Sequence, residues 1–158
     1  AFHQTLPAEA YTYARPMSMI ENDGIRTYGM HGTAQKFVSQ EMNKILGRTD
    51  TKIITCHIGN GSSISAVKNG KCIDTSMGFT PLAGVVMGSR SGDIDTGLIP
   101  YVMSETKKSF DEVMNDLNKK SGMAALSGIS SDLRDVEEGY LSGDERCKTA
   151  MDIYADKM

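Results

Sequence analysis

The feature that most restricts the fold is the stretch KIITCHIGNGSSISAVKNGKCIDT, residues 52–75. It holds three β-rich runs, at 52–58, 63–67 and 71–75, separated by two short breaks that each carry Asn-Gly. Asn-Gly between alternating apolar residues is the strongest short signal for a tight hairpin, because both central residues of a type I′ turn need positive φ. The stretch therefore predicts an antiparallel meander, with a two-residue hairpin at Asn69-Gly70. The first break, HIGNGSS, is longer and carries a histidine and paired serines. It reads either as a second hairpin or as a loop whose backbone holds a ligand.

Helical patterns flank the meander. Pro7 suits the first turn of a short helix through about Ala14, closed by Arg15-Pro16. Residues 17–28 read as irregular, with Asn22-Asp23-Gly24 as a turn. Ala34, Phe37, Val38, Met42, Ile45 and Leu46 recur at helical spacing, with Thr33 as N-cap and Gly47 beyond the end. Residues 77–97 are Gly-rich and aperiodic, a length uncommon in a compact domain unless the loop is functional. Asp95-Thr96 opens a helix to about Ser104. Ser109-Phe-Asp-Glu112 forms a capping box leading to Lys120, closed by Ser121-Gly122. A further helix starts at Ser130-Ser131-Asp132, and Ser142-Gly-Asp-Glu145 reads as a second capping box. Strands followed by helices predict an α/β or α+β layered domain.

Composition narrows the function classes. A net charge of −3 argues against a nucleic-acid role, which calls for a basic face. No apolar run approaches the length of a membrane span, and AFHQTLPAEAY lacks the basic and apolar regions of a signal peptide. Three widely spaced cysteines, Cys56, Cys72 and Cys147, predict reduced thiols and a cytoplasmic protein rather than a disulfide framework. Neither they nor the three histidines have zinc-site spacing. A start without Met and an end inside an apparent helix lead to the expectation that 158 residues are part of a longer protein.

Three segments carry polar residues that packing alone does not require. His31, in MHGT, precedes the strongest helix, where a helix N-terminus favours an anion. The alternative is a histidine satisfied by a cap or a backbone carbonyl. HIGNGSS, between two strands, offers several N–H groups in one concavity, suited to phosphate oxygens. It lacks the Gly-Lys-Ser/Thr of a Walker A loop and the following helix of a dinucleotide fingerprint, and an ordinary turn remains open. Arg90, between Gly88 and Gly92, suits bidentate recognition of phosphate or carboxylate, although loop arginines are commonly just solvated. Asp132 could equally be a simple helix cap. No Gly-x-Ser-x-Gly elbow is present.

Six ordered segments then resemble the acetate kinase family along nearly the whole chain: AFHQTLPAEAY, YGMHGTAQKFVS, KIITCHIGNGSSISAVKNGKCIDTSMGFTPLAG, MGSRSGDIDTGLIPY, LNKKSG and LSGISSDLRD. The resemblance implies the α/β, RNase H-like fold of the actin, Hsp70 and sugar-kinase group, two such domains flanking a nucleotide cleft. It implies that residues 1–14 end the N-terminal half and that residues 15–158 begin the C-terminal nucleotide-binding domain. The implied reaction is reversible in-line transfer of the ATP γ-phosphoryl to acetate, giving acetyl phosphate and ADP with Mg²⁺, in a cytoplasmic homodimer with no nucleic-acid or membrane partner. Position by position, it implies that His31 and Arg90 stabilise the transition state. His57, Ile58, Gly59, Asn60 and Gly61 match the ATP-phosphate loop. Asp132, Leu133 and Arg134 match a segment on the adenosine side. Met30 and Pro81 match the pocket for the acyl methyl.

Departures from the family pattern matter. Where relatives have Phe-His-Gly-Thr-Ser-His, this chain has Met30-His-Gly-Thr-Ala34-Gln35, so Met30 replaces an aromatic of the acyl pocket and opens acetate against propionate preference. The family's catalytic aspartate would lie two residues before Ala1. Its substrate arginine and Mg²⁺-associated Asn and Glu also fall outside, so no metal ligand is expected here and the isolated chain is expected to be inactive. Propionate or butyrate kinase is the nearest alternative within the same chemistry. A nucleotide-binding module without catalysis is the alternative from another class. A third is an assembly piece, associating through apolar surface.

Overall fold

The computed structural model describes residues 2–158, which divide into two compact units. One comprises the chain up to Ile58 together with Ser62–Gly84, the other Gly59–Gly61 with Val85–Met158.

The first unit is built on the predicted meander. Strands β1 (Lys52–His57), β2 (Ser63–Lys68) and β3 (Lys71–Thr75) form an antiparallel sheet in the order β1-β2-β3. Asn69 and Gly70 both have positive φ, 50° and 73°, as a type I′ turn demands. A register shift between Ala66 and Val67 bends β2 where it pairs with β3. Four helical segments precede the sheet: a 3-10 turn at Phe2–Thr5, α1 (Ala8–Tyr11), α2 (Ser18–Glu21) and α3 (Gly32–Leu46). Phe2, Leu6, Val67 and Cys72 form its apolar core, and the Thr5 hydroxyl donates to the Cys72 carbonyl at 2.9 Å.

Helix α3 exists where its period predicts, yet its orientation is the reverse of the expectation. Its buried residues are Gln35 and Ser39, whereas Phe37, Val38, Met42, Ile45 and Leu46 are exposed. The sheet face beneath explains the choice. Alternation along β1 and β2 turns Thr55, Ser63 and Ser65 inward, all buried, so the helix meets it with its polar stripe. The helix also begins one residue before the expected cap. His31, not Thr33, takes the N-cap position, in left-handed geometry, and Gly47 closes the helix as expected.

Two smaller differences have local causes. Helix α1 stops at Tyr11 rather than near Ala14, because the Tyr11 carbonyl takes the Thr27 N–H at 2.8 Å and Thr12 is already extended. Within the stretch read as irregular, one turn of helix, α2, forms ahead of Asn22.

The second unit is helical: α4 (Leu98–Thr106), α5 (Phe110–Lys119), α6 (Gly122–Ser127), α7 (Leu133–Leu141) and α8 (Glu145–Lys157). The Ser109–Glu112 capping box is present with both of its hydrogen bonds. Val86, Met123, Val136, Cys147, Ala150 and Tyr154 form the core, with Leu126, Leu133, Met151 and Ile153 at its edge. Helix α8 is capped by Asp144, whose carboxylate accepts from the Arg146 and Cys147 N–H groups. Ser142 instead terminates α7, since only three residues separate the helices and a carboxylate is the better acceptor for the first turn. Helix α6, absent from the sequence reading, begins at Gly122, which the sequence marks as a stop. All three cysteines are free thiols, Cys72 and Cys147 buried and Cys56 exposed. Among the described residues no helix is long and apolar enough to cross a membrane.

Candidate functional site

In the first unit the predicted His31 and His57 come together. Their rings stack with centroids 3.9 Å apart and planes at 15°. Strand pairing sets this, because His57 ends β1 directly opposite Ser63, and His31 Nδ1 lies 2.8 Å from Ser63 Oγ. Behind this pair runs a buried polar network. Gln35 Nε2 donates to Ser63 Oγ at 2.8 Å, while Gln35 Oε1 lies 2.9 Å from His3 Nε2 and accepts from Ser65 Oγ at 2.7 Å. Ser65 Oγ reaches Thr75 Oγ1 at 2.9 Å. No buried side-chain nitrogen or oxygen among the described residues lacks a partner. Burial pushes the His3 imidazole below its ordinary value, with the Gln35 contact opposing that shift.

Met30 and Pro81 belong to neighbouring segments of this unit. The Tyr28 and Gly29 N–H groups both donate to the Gly78 carbonyl, at 3.2 and 3.1 Å, and the Tyr28 and Phe79 rings lie 5.9 Å apart. Ile58 is exposed and joins His57 to the glycine loop of the second unit.

The second unit collects the other predicted segments. The Gly88 N–H donates to the Asn60 carbonyl at 3.1 Å. A Cβ at Gly88 would overlap Asn60 Oδ1 and sit 2.9 Å from the Ser131 carbonyl. Only glycine permits this approach. The Gly59–Gly61 loop, the arginine loop and the approach to α7 are thereby held edge to edge.

The loop bearing Arg90 has no secondary structure, yet its backbone is paired. Met87 and Gly88 carbonyls accept from the Met123 and Ala124 N–H groups, each at 2.9 Å, so the loop caps α6 in place of a side chain. Ser121 N–H donates to the Ser89 carbonyl, and Ser91 N–H to that of Leu117, both at 3.0 Å. Gly122, at φ +62°, is required here, because a Cβ would come within 2.7 Å of the Arg90 carbonyl. Arg90 Nη1 also lies 3.5 Å from the sulfur of buried Met87. A guanidinium on so fixed a backbone has the chemistry to donate to an oxyanion.

Asp132 takes the capping role that the sequence left open. It accepts from the Arg134 N–H at 2.9 Å and forms an ion pair with the exposed Arg134 guanidinium at 2.6 Å. That side-chain hydrogen bond, aided by the backbone one, holds its carboxyl down to about 2. Leu133 packs against the helical core.

Sequence reasoning missed Gln35, Ser63 and Ser65 as supports of His31. A signal was present: Gln35 lies four residues after His31, on the same helix face, and Ser63 and Ser65 alternate onto one sheet face. A hollow of about 730 Å³ at the far end of α3, lined by Gln40, Asn43, Lys44 and Arg48 among others, contains none of the candidate residues.

With this geometry in hand, comparison with known proteins is informative. A family model described as the Acetokinase family matches residues 1–158. The chain is 55% identical over 160 aligned positions to an acetate kinase of Bacillus velezensis, covering all of this chain and 40% of that protein. An acetate kinase of Treponema denticola is 51% identical over the same share. Among solved structures, Porphyromonas gingivalis acetate kinase superposes with a TM-score of 0.94 at 45% identity, covering 99% of this chain and 40% of that one. A propionate kinase from Francisella tularensis superposes at 0.96 and 44% identity, covering 99% and 41%. The mixed helix-and-strand fold expected from the sequence is the one these kinases share over that length. The chain spans about 40% of the length of the curated relatives it matches.

Proposed function

The chain belongs to the acetokinase family, and on that premise we propose that the whole protein transfers a phosphoryl group between ATP and acetate, giving acetyl phosphate and ADP. The observation that carries the reading is the packing of Asn60, Gly88 and Ser131 around one glycine contact, beside the anchored backbone of Arg90. A glycine loop of this kind suits nucleotide phosphates, and residues 15–158 would begin the nucleotide-binding half.

In-line phosphoryl transfer spreads negative charge over the equatorial oxygens, so catalysis is chiefly positioning and electrostatic stabilisation. His31 and Arg90 are assigned to that charge. As preorganised donors they would each contribute about 2–4 kcal/mol to the transition state. His57 would hold the His31 ring plane, the Gly59–Gly61 backbone would hold nucleotide phosphates, and the Asp132–Arg134 segment would lie toward the nucleoside. Mg²⁺ would neutralise charge on the phosphate oxygens. Its ligands are assigned to parts of the whole protein outside this chain, and that protein would be a cytoplasmic homodimer. Residues 1–158 alone are expected to form no acetyl phosphate.

Met30, where the family pattern has an aromatic, favours a second reading: a roomier acyl pocket, beside Pro81, that accepts propionate. Rates with acetate and propionate on the whole protein separate the two. The central test is Arg90→Ala in that protein, with kcat expected to fall about 10²- to 10³-fold. ATP bound by the whole protein with no phosphoryl transfer to either acid would leave a nucleotide-binding module without catalysis. Transfer retained in both Arg90→Ala and His31→Ala would remove the roles assigned to those two residues.

A further inference from the structure

The network behind His31 has a direction, and the Ser63 backbone decides it. Gln35 Nε2 lies 3.3 Å from the Ser63 carbonyl as well as 2.8 Å from its hydroxyl. A carbonyl only accepts, so the Gln35 atom facing Ser63 is the amide nitrogen, and Oε1 faces His3 and Ser65. Ser65 then donates to Oε1, and so does His3 through Nε2. Ser63 Oγ is wholly buried, and its side-chain partners are Gln35 Nε2, which donates, and His31 Nδ1. A proton on Nδ1 would leave the Ser63 hydroxyl hydrogen with no acceptor, so Ser63 donates to His31 Nδ1. A neutral His31 that accepts at Nδ1 carries its proton on Nε2. The stack on His57 fixes the plane in which that N–H points.

We propose that Gln35 is a positioning residue that acts through Ser63 to hold His31 in the form protonated at Nε2, the form able to donate to a phosphoryl oxygen. This rests on the reading that His31 serves phosphoryl transfer. Gln35 makes all four of its hydrogen bonds within the network, so its amide cannot turn over without setting Oε1 against the Ser63 carbonyl. The residue thus transmits the orientation of a backbone carbonyl to a ring nitrogen one hydroxyl away.

The test uses the whole protein with ¹⁵N-labelled histidine, in which His31→Asn assigns the His31 signals and long-range proton–nitrogen correlations separate the tautomers. Wild-type protein is expected to show His31 protonated at Nε2; protonation at Nδ1 overturns the proposal without any variant. Gln35→Glu, recorded at pH 8, replaces the amide donor by a carboxylate acceptor. Ser63 then donates to residue 35 and accepts from His31 Nδ1, so the tautomer is expected to move to Nδ1, with kcat at least about 10-fold lower and the KM for acetate within about twofold. Ser63→Ala, which removes the relay while leaving Gln35, is expected to give a mixture of tautomers. A His31 tautomer unchanged in both variants overturns the proposal. A shifted tautomer with unchanged kcat upholds the positioning role and removes instead the reading that His31 acts on the phosphoryl group.

Discussion

Helices α3 and α8 have similar length and opposite interiors. Helix α8 sends Cys147, Ala150 and Tyr154 into an apolar core, as an amphipathic helix ordinarily does. Helix α3 buries Gln35 and Ser39 and leaves its apolar stripe exposed, Ile45 at 78% and Phe37 at 62%. The difference lies in the partner surface. Helix α8 meets other apolar helices, whereas α3 lies on a sheet face of threonine and serine hydroxyls. Hydrophobic period identifies a helix but does not by itself say which face is turned inward. In α3 the inward face is the one that reaches His31 through Ser63, so under the proposed role of His31 its polar interior would serve chemistry as well as packing.

The largest effect that tests this contrast is in the helical unit. Met123 is wholly buried, and Met123→Ala leaves a cavity expected to cost about 2–5 kcal/mol. Gln35→Leu, similar in volume, removes a donor from Ser63 and an acceptor from His3 and Ser65. The expected cost is about 1–3 kcal/mol, from buried polar groups left without partners. Hydrogen exchange should localise the loss to α3 and β2 in the second variant and to α6–α8 in the first. Equal tolerance of Gln35→Leu and of a surface change would break the comparison.

How far the sequence went follows the same division. The Asn69-Gly70 hairpin, the Ser109–Glu112 capping box and the existence of α3 were all legible, because each depends on residues within a few positions of one another. The interior of α3 was not, since it depends on strand residues 63 and 65, nearly 30 positions away. The 77–97 stretch read as aperiodic, and the order of its residues 87–91 comes from backbone bonds to Leu117, Ser121, Met123 and Ala124, which carry no side-chain signature. Helix α6 was hidden for the matching reason: that loop, not a capping side chain, satisfies its first N–H groups. Asn60 was legible as a turn residue, while its contact with Gly88 required the fold.

A smaller effect concerns pH. Burial lowers the His3 pKa in the folded state, so between that value and the ordinary one of about 6.5 the unfolded chain binds more protons. The stability contributed by neutral His3 is therefore full above pH 6.5 and lost as pH falls through the folded value. Urea midpoints at pH 7.5 and 5.5 should separate more in wild type than in His3→Gln. Asp132, held down to about 2, changes protonation only below about pH 4 and leaves this window undisturbed.

The smallest effect is expected where sequence period would place the largest. Ile45 belongs to the apolar stripe that marks α3 as amphipathic, and a conventional interior would make Ile45→Gln costly. Exposed as it is, the side chain loses little burial on substitution, and glutamine is at least as good a helix former as isoleucine. The unfolding free energy of the 158-residue chain should therefore change by no more than about 0.5 kcal/mol. A loss comparable to that of Met123→Ala would mean that the stripe is packed after all, and the polar face of α3 would no longer be its interior.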